Sequence, residues 1–258
     1  MLRKKNKFSE TTHFFYRLIL PFFDPLKLLI AFGKYPGFIK DLIVYSKKEK
    51  AESVSLINIA PYLFDKTSVS PFDAHYFYQD TWAFKKIYQS RVNDHIDVGS
   101  RVDFIGFLSV ITKVTFVDIR PIETSLKNLK SVKGDILSLP FQNNSVKSLS
   151  CLHVAEHVGL GRYGDYIDPL GTKKGCQELS RVLQKGGNLY FSVPVGNPKL
   201  YFNAHRVHSP QQIIDYFSNL ELIEFSGIDD EKKFKENIDA GILSDSKYAC
   251  GLFWFRKK

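Results

Sequence analysis

The sequence predicts a doubly wound α/β fold, with helices on both faces of a mostly parallel sheet that ends in an antiparallel strand pair. Short apolar segments alternate with segments of helical spacing from about residue 92 to the last residue. Three successive strands end in an acid, namely Asp97, Asp118 and Asp135. Because ligands of open parallel sheets bind at the carboxyl ends of the strands, these acids indicate a site for a molecule with hydroxyl and amine groups.

Each predicted element has a local reason. The predicted strands contain apolar or β-branched residues between turn signals, and they cover 94–98, 114–118, 131–133, 146–152, 188–193, 221–225 and 248–256. Pro194 is expected to end the fifth of them. Helices are predicted at 101–111, where Val102, Ile105 and Leu108 share one face, and at 172–183, before two glycines. A further helix begins at Ser209-Pro210, since Ser is a good N-cap and Pro suits the first turn.

Composition and charge define the domain organisation. We expect a basic, aromatic helical segment over residues 1–90 and one main domain over residues 91–258. The three cysteines, Cys151, Cys176 and Cys250, lie far apart without metal-like spacing, which favours a reducing, cytoplasmic environment and argues against disulfides. No metal site is expected.

The N-terminal segment is both basic and apolar. Residues 1–50 hold 11 Lys or Arg and 4 Asp or Glu, which is +7 of the total charge of +9. Arg17, Pro21 and Asp24 interrupt its apolar run, so it falls short of the roughly 20 residues of a spanning helix. Two interpretations remain: a peripheral anchor at the inner membrane face, or helices that cap the main domain. The main domain is nearly neutral, which disfavours a nucleic-acid partner.

A set of motifs in the main domain occurs in a specific order. The motifs are Asp97-Val98-Gly99, Asp118, Gly134-Asp135-Ile136 with Leu139-Pro140-Phe141, Leu152-His153-Val154-Ala155-Glu156-His157-Val158, and Glu178-Leu179-Ser180-Arg181-Val182-Leu183 before Gly186-Gly187. In this order they resemble the class I S-adenosylmethionine-dependent methyltransferases, which have a Rossmann-like sheet. Gly159 to Asp165 and His205-Arg206 with Ser209-Pro210 also resemble an uncharacterised branch, a domain of unknown function associated with bacterial surface-glycan gene clusters.

The resemblance implies S-adenosylmethionine as cofactor and assigns positions to it. Gly99 lies at a sharp turn from strand to helix, where a side chain would obstruct a ligand. Asp118 follows it by 19 residues, near the spacing at which an acid binds ribose hydroxyls. By resemblance, Asp135 would bind the adenine amine, Ile136 would pack on the purine, and Asp97 would lie near the methionine moiety. Leu152, at the end of the fourth strand, completes the expected cofactor site.

The first loop departs from the family pattern. Three glycines at alternate positions are usual there, whereas Arg101 and Asp103 occupy the later two places in this chain. Arg101 would either narrow the cofactor groove or close over the carboxylate of the ligand.

Candidates for chemistry follow the fourth strand. Methyl transfer to a hydroxyl requires positioning and a base, and His157, His153 and Glu156 stand there. If 154–158 is helical, the two histidines share a face at a spacing that also suits metal ligands. The alternative is that these histidines are structural.

The loop from Gly159 to Gly171 and the segment near His205 are candidate substrate contacts. Arg162 could pair with a phosphate or carboxylate, and Tyr163 could stack on a sugar or base. The alternative is a salt bridge from Arg162 to Asp165 or Asp168 that holds the loop. The remaining substrate candidates are Asp165, His205 and Arg206.

Three functions remain open. The first is methyl transfer to a small polar acceptor, a saccharide in surface-glycan biosynthesis by resemblance, with a small-molecule or glycan partner. The second is a degenerate, non-catalytic scaffold of the same fold, favoured by Arg101 and Asp103. A nicotinamide-dependent oxidoreductase is third, because its glycine loop is matched less well.

Overall fold

The computed structural model describes residues 10–49 and 52–258. The chain divides into two compact units, residues 1–71 and 72–258. The second unit begins before residue 90 because helix α3, Ala74–Ser90, buries Trp82, Ala83 and Ile87 in its core.

The first unit is helical. Helix α1 spans Glu10–Ile19, helix α2 spans Pro25–Ser46, and a short 3-10 helix covers Leu56–Asn58. Asp24 caps α2 by accepting a hydrogen bond from the backbone N–H of Lys27 at 3.0 Å, and Pro25 takes the first turn. No residue of α2 is buried. Every helix of the residues described above is too short or too polar to span a bilayer.

The second unit is built around an eight-stranded sheet. Its strands are β1 Asp94–Val98, β2 Lys113–Asp118, β3 Leu129–Lys133, β4 Val146–Leu152, β5 Leu183–Val195, β8 Leu220–Ile228, β9 Phe234–Lys235 and β10 Ala249–Lys257. A separate hairpin consists of β6 Lys199–Tyr201 and β7 His205–Val207. The remaining helices are α4 Val102–Leu108, α5 Gly171–Val182 and α6 Pro210–Tyr216, with 3-10 turns at Ala155–His157 and Ala240–Leu243.

The strand order confirms the predicted fold. The order is β3-β2-β1-β4-β5-β10-β8-β9. Neighbours from β3 to β5 pair in parallel, and β10 pairs antiparallel with both β5 and β8. The sheet reverses its order next to β1, so the carboxyl ends of β1, β2 and β4 meet at the crevice where such sheets bind ligands.

Apolar side chains cover both faces of the sheet. Trp82 of α3 and Ile105 and Leu108 of α4 pack on one face, and Leu179 of α5 with Phe217 packs on the other. The predicted apolar face of α4 is therefore largely confirmed. Val102 is an exception, because it begins the helix and remains 53% exposed.

Several element boundaries differ from the predictions, and the largest difference is the start of β5 at Leu183 rather than at Asn188. Helix α4 ends at Leu108 rather than near Ile111. Strand β5 continues past Pro194 to Val195. Proline is tolerated there because the last parallel pair of β4 with β5 is Leu152 with Ser192, so no β4 carbonyl requires an N–H from Pro194. Helix α6 begins as predicted, since the Ser209 side chain accepts from the N–H of Gln212 at 3.1 Å.

Candidate functional site

Two adjacent cavities open at the carboxyl ends of β1, β2 and β4. The larger has a volume of about 710 Å³ and the smaller about 380 Å³. They share six lining residues: Gly99, Asp118, Arg120, His153, His157 and Tyr163. We call the larger the polar cavity and the smaller the nucleoside cavity, from the residues described below.

The turn after β1 brings the backbone close to both cavities. Gly99 has a φ of 70°, and its N–H donates to the carbonyl of Val117 at 3.0 Å. A Cβ at this position would lie 2.9 Å from the side chain of Val154 and 3.5 Å from Asp118 Oδ2. Glycine is therefore required both by the left-handed backbone and by the closeness of its neighbours.

Asp97 supports this turn from beneath. It is fully buried, accepts from the N–H of Ser100 at 3.0 Å, and accepts a second bond from the Ser150 hydroxyl. Ser150 in turn lies 2.8 Å from His95 Nε2. Burial raises the pKa of Asp97 to about 6, against the effect of these donors. Asp97 lines neither cavity, so the structure places it under the loop and not in the wall of the candidate site.

Asp118, at the end of β2, stands between the two cavities. Its Oδ1 accepts from the N–H of Arg120 at 2.7 Å and lies 3.9 Å from Arg120 Nε. Its side chain is 17% exposed, and it lines both cavities. An acid at this junction can accept two hydroxyl hydrogen bonds from one ligand.

Three other expected cofactor residues are distributed over the two cavities. Asp135 and Ile136 line the nucleoside cavity, where Asp135 is exposed and Ile136 is buried. Asp135 Oδ1 accepts from the N–H of Leu137 at 2.8 Å, which fixes the carboxylate at the end of the turn. Leu152 lines the polar cavity.

Glu156 is a buried carboxyl group on the wall of the polar cavity. Its residue is 0% exposed, and neither carboxyl oxygen has a hydrogen-bond partner among the described residues. Burial raises the pKa of Glu156 to about 8, with its own backbone N–H and Arg162 offsetting only part of the effect. Because an unpaired buried carboxyl is costly, this group is suited to a ligand that donates a hydrogen bond.

His157 and His153 line the same cavity as neutral imidazoles. His157 Nδ1 lies 2.6 Å from the carbonyl oxygen of Ala204, so Nδ1 carries the proton and Nε2 is an acceptor, 3.6 Å from Glu156 Oε1. His153 Nδ1 lies 2.6 Å from Gln79 Oε1, and its Nε2 has no partner among the described residues. Burial lowers the pKa of His157 to about 4 and that of His153 to about 3.

The two histidines are not held by an α-helix. Residues 155–157 form a single 3-10 turn, and His153 has a φ of 55°, outside any right-handed helix. The i and i+4 spacing on one helix face, considered from the sequence, is therefore absent. Among the residues described, no group of three or more His, Cys, Asp and Glu side chains is arranged to hold a metal ion.

Aromatic rings complete the wall around Glu156. Tyr76 of α3, Tyr248 and His205 line the polar cavity. The ring of Tyr248 lies 5.2 Å from that of His205, and the ring of Tyr76 lies 5.4 Å from that of His153. Burial and the nearby Glu156 raise the pKa of both tyrosines.

The loop before α5 is held by Asp165. Its Oδ2 accepts from the N–H groups of Gly159, Leu160 and Gly161 at 2.7 to 3.3 Å. Its Oδ1 accepts from the N–H of Tyr163 at 3.2 Å. Partial burial alone would raise the pKa of Asp165, but these donors outweigh it and lower the pKa. Although Asp165 reaches the nucleoside cavity, its oxygens are occupied within the loop.

Two arginines fix the same loop to the β6–β7 hairpin. Arg206 donates to the carbonyls of Val158 at 2.6 Å and Asp168 at 3.1 Å, and it lines neither cavity. Arg162 donates to the carbonyl of Ala204 at 3.1 Å and lines the polar cavity. The alternative salt bridge from Arg162 to Asp165 or Asp168 does not form. The guanidinium of Arg120 lies 4.4 Å from the Tyr163 ring centroid, and that of Arg162 lies 5.1 Å from it.

The unusual Arg101 lies at the side of the polar cavity. Its Nη2 donates to Asp103 Oδ2 at 2.9 Å, and its guanidinium lies 4.7 Å from the centroid of the Tyr76 ring. Arg101 is 43% exposed and lines the polar cavity without lining the nucleoside cavity. The side chain therefore leaves the region of Asp118 and Asp135 open.

The residues present fit an adenosyl group. The nucleoside cavity offers an exposed carboxylate and an apolar surface at Asp135 and Ile136, and Asp118 marks its border with the polar cavity. Gly99 provides a cradle that a Cβ would fill. Hydroxyl, amine and purine groups match this donor and acceptor set.

Among the lining residues that sequence reasoning missed are Tyr76, Arg120 and Tyr248. Tyr76 lies in the segment assigned to the N-terminal part of the chain, and its signal was the aromatic spacing of residues 74–90 directly before β1. Arg120 and Tyr248 reach the site only through the sheet topology, and no local pattern marks them.

Comparisons with known proteins agree with this fold. Residues 141–247 match the model of a family described as Caenorhabditis protein of unknown function, DUF268, which is less than half of the chain. No curated protein matches.

Several solved structures share the fold at low sequence identity. A putative sarcosine dimethylglycine methyltransferase from Galdieria sulphuraria is 14% identical with a TM-score of 0.52, over 70% of this chain and 85% of that chain. The N-methyltransferase NodS from Bradyrhizobium japonicum WM9, solved with S-adenosyl-L-homocysteine, is 13% identical with a TM-score of 0.50, over 84% of this chain and 97% of that chain.

The same fold also occurs in an enzyme of a different class. The cyclase SpnF is 11% identical with a TM-score of 0.50, over 69% of this chain and 81% of that chain. The structure therefore has the fold of class I methyltransferases, and the reaction must be argued from the site.

Proposed function

We propose that this chain transfers a methyl group from S-adenosylmethionine to a small polar acceptor. The observation that supports it is the pair of adjoining cavities, with Asp118 at their border, Asp135 in one and the unpaired Glu156 in the other. One cavity suits a nucleoside, and the other suits a group that loses a proton.

The cofactor would be held by residues from the ends of three strands. Asp118 would accept from the ribose hydroxyls, Asp135 from the adenine amine, and Ile136 would pack on the purine. The loop Gly99 to Arg101 lines the polar cavity next to Asp118, where Arg101 would meet a carboxylate. When bound, the cofactor supplies an activated methyl group on a sulfonium.

Glu156 would take the proton that the acceptor loses. The acceptor oxygen or nitrogen forms a bond to the methyl carbon, the carbon–sulfur bond breaks, and the acceptor proton must leave. A carboxyl with a pKa of about 8 is an effective base near neutral pH once it is ionised. His157 Nε2, 3.6 Å away, could then orient Glu156 or share the proton.

For the acceptor, we propose a saccharide in surface-glycan biosynthesis. Three tyrosines line the polar cavity, Tyr76, Tyr163 and Tyr248, and aromatic rings commonly stack on the apolar faces of sugars. Arg120 and Arg162 add donors for a charged substituent. These contacts support a polar acceptor, and the glycan assignment rests on the resemblance of the sequence.

We further propose that the first unit contacts a membrane surface peripherally. It exposes large apolar side chains, namely Phe22 at 86% in the turn between α1 and α2, and Leu29 and Phe32, both at 68%, in α2. Basic residues such as Lys27 and Lys34 lie on the same helix, α2. Apolar groups that enter the headgroup region, together with cations that meet anionic lipid, are typical of interfacial helices.

The second candidate function is binding without catalysis. The observation that favours it is the Arg101–Asp103 pair in place of loop glycines. A scaffold of this kind would bind S-adenosyl-L-homocysteine without turnover, or would not bind it.

The test is a methyl-transfer assay with radiolabelled S-adenosylmethionine and a panel of sugars, nucleotide sugars and amines. The proposal predicts labelled product with at least one acceptor, and a loss of about 10²-fold or more in turnover for Glu156→Gln. Cofactor binding without turnover for every acceptor class would favour the scaffold.

A further inference from the structure

A third cavity lies beside the polar cavity and differs from it in chemistry. It is a groove of about 750 Å³ between α3 and α4, and we call it the apolar groove. Its wall is formed mainly by Phe72, Phe77, Phe84, Phe104, Phe107 and Val110. No step of the proposed methyl transfer uses these residues.

The apolar residues of this groove are exposed to an unusual degree. Phe107 is 71% exposed, Val110 79%, Phe77 55% and Phe72 54%. Exposed apolar groups in one contiguous concave surface are typical of a ligand or partner site, whereas isolated ones need no explanation.

The groove adjoins the polar cavity, and three residues separate the two spaces. Tyr76, Arg101 and Asp103 line both. Arg101 lies over the Tyr76 ring, 4.7 Å from its centroid, so this pair forms the partition between the two spaces. A molecule that reaches Glu156 with a polar group could therefore extend past this pair into the groove.

We propose that the small polar acceptor group is the head of an amphiphile, which places this head in the polar cavity and its hydrocarbon chain in the apolar groove. This inference rests on the proposed function. A chain of methylene groups fits a groove lined by phenylalanines, and a polar head fits the wall of Glu156 and the tyrosines. The exposed apolar side chains of the first unit support it independently, since an amphiphilic acceptor would be met at a membrane surface.

The test uses the full-length protein and alkyl maltosides with a photoreactive diazirine at the chain end, below their micellar concentrations. Peptides from 74–90 and 102–110 should carry the label, and unlabelled alkyl maltoside should displace it. Affinity should rise about fourfold for each added methylene, as expected for burial of a hydrocarbon chain. Label on residues 10–49 is scored separately, because those helices are exposed too.

A matched pair of variants tests where the hydrocarbon chain of the ligand binds. Phe107→Asp should reduce labelling of the α3 and α4 peptides at least tenfold, because it would place a carboxylate in the apolar groove. Phe202→Asp is the control, since Phe202 is 70% exposed and lines none of the three cavities. It should leave the labelling unchanged. Val110→Asp repeats the test at the far end of the groove.

Several outcomes would overturn the inference. They are equal labelling in Phe107→Asp and wild type, affinity independent of chain length, or label confined to residues 10–49. If labelling of the groove peptides falls as the protein concentration rises, the groove would be assigned instead to contact with a second copy of the protein. Binding of S-adenosyl-L-homocysteine is measured in parallel: if it persists while alkyl chains fail to bind, only this inference is lost. If alkyl chains bind and S-adenosyl-L-homocysteine does not, the proposed function is lost.

Discussion

The buried carboxyl of Glu156 leads to a quantitative prediction on stability. Its pKa rises from 4.5 in the unfolded chain to about 8 in the folded protein, because burial disfavours the charged form. Below about pH 4.5 the group is protonated in both states, so its ionisation does not change the free energy of unfolding. As the pH rises toward 8, the unfolded chain gains stability by ionising while the folded protein does not.

The size of the effect follows from proton linkage. Each pH unit in this window lowers the free energy of unfolding by about 1.4 kcal/mol, which amounts to roughly 5 kcal/mol between pH 4.5 and pH 8. Glu156→Gln removes the titration while keeping the shape. Relative to wild type, the free energy of unfolding of the variant should therefore increase by that amount from pH 4.5 to pH 8.

The measurement is urea denaturation of both proteins at half-unit steps from pH 4.5 to pH 8.5. Taking the difference cancels the titration of other groups, including Asp97 and the buried histidines. Parallel stability curves for the two proteins would refute the argument, because they would mean that Glu156 ionises as easily folded as unfolded. In activity, acceptor kcat/KM of the wild type should rise with pH up to about 8 as Glu156 ionises.

Three other changes have expected outcomes. His157→Ala should lower turnover by 10²-fold to 10⁴-fold if His157 shares the proton, with cofactor affinity unchanged in calorimetry; equal turnover would leave it a structural role. Gly99→Ala should destabilise the fold by roughly 1–2 kcal/mol in urea denaturation and weaken cofactor binding, since its Cβ would meet Val154; unaltered stability and binding would contradict the cradle. Phe22→Asp and Phe32→Asp should reduce sedimentation with anionic vesicles, and unchanged sedimentation would exclude the anchor.

Much of the fold could be predicted from the sequence because its signals are local. The turn residues Asn143-Asn144-Ser145 announce the strand that begins at Val146, and Ser209-Pro210 is a helix start. Both elements begin where predicted. The carboxyl end of β5 was predicted two residues too early because the effect of Pro194 depends on where its neighbour β4 ends. That information lies in the tertiary structure.

The candidate site was less predictable, because the type of a residue and its spacing along the sequence do not show which way its side chain points. In the sequence, Asp97 and Asp118 are both acids at strand ends. In the structure, Asp97 lies under the loop and accepts hydrogen bonds from Ser100 and Ser150, whereas Asp118 lies at the border of the cavities. Asp165 looked like a substrate contact and is used by four backbone N–H groups of its own loop.

The most direct test of methyl transfer is calorimetric titration of the full-length protein with S-adenosyl-L-homocysteine, repeated on Asp118→Asn and Asp94→Asn. Asp94 is the matched control, because it is an exposed acid at the amino end of β1, opposite to the end where the cavities lie. The account predicts binding by wild type and by Asp94→Asn, and about 10-fold to 100-fold weaker binding by Asp118→Asn, from the loss of charge-assisted hydrogen bonds. Absence of binding by folded wild-type protein, or equal affinity in all three, would contradict the proposed cofactor site.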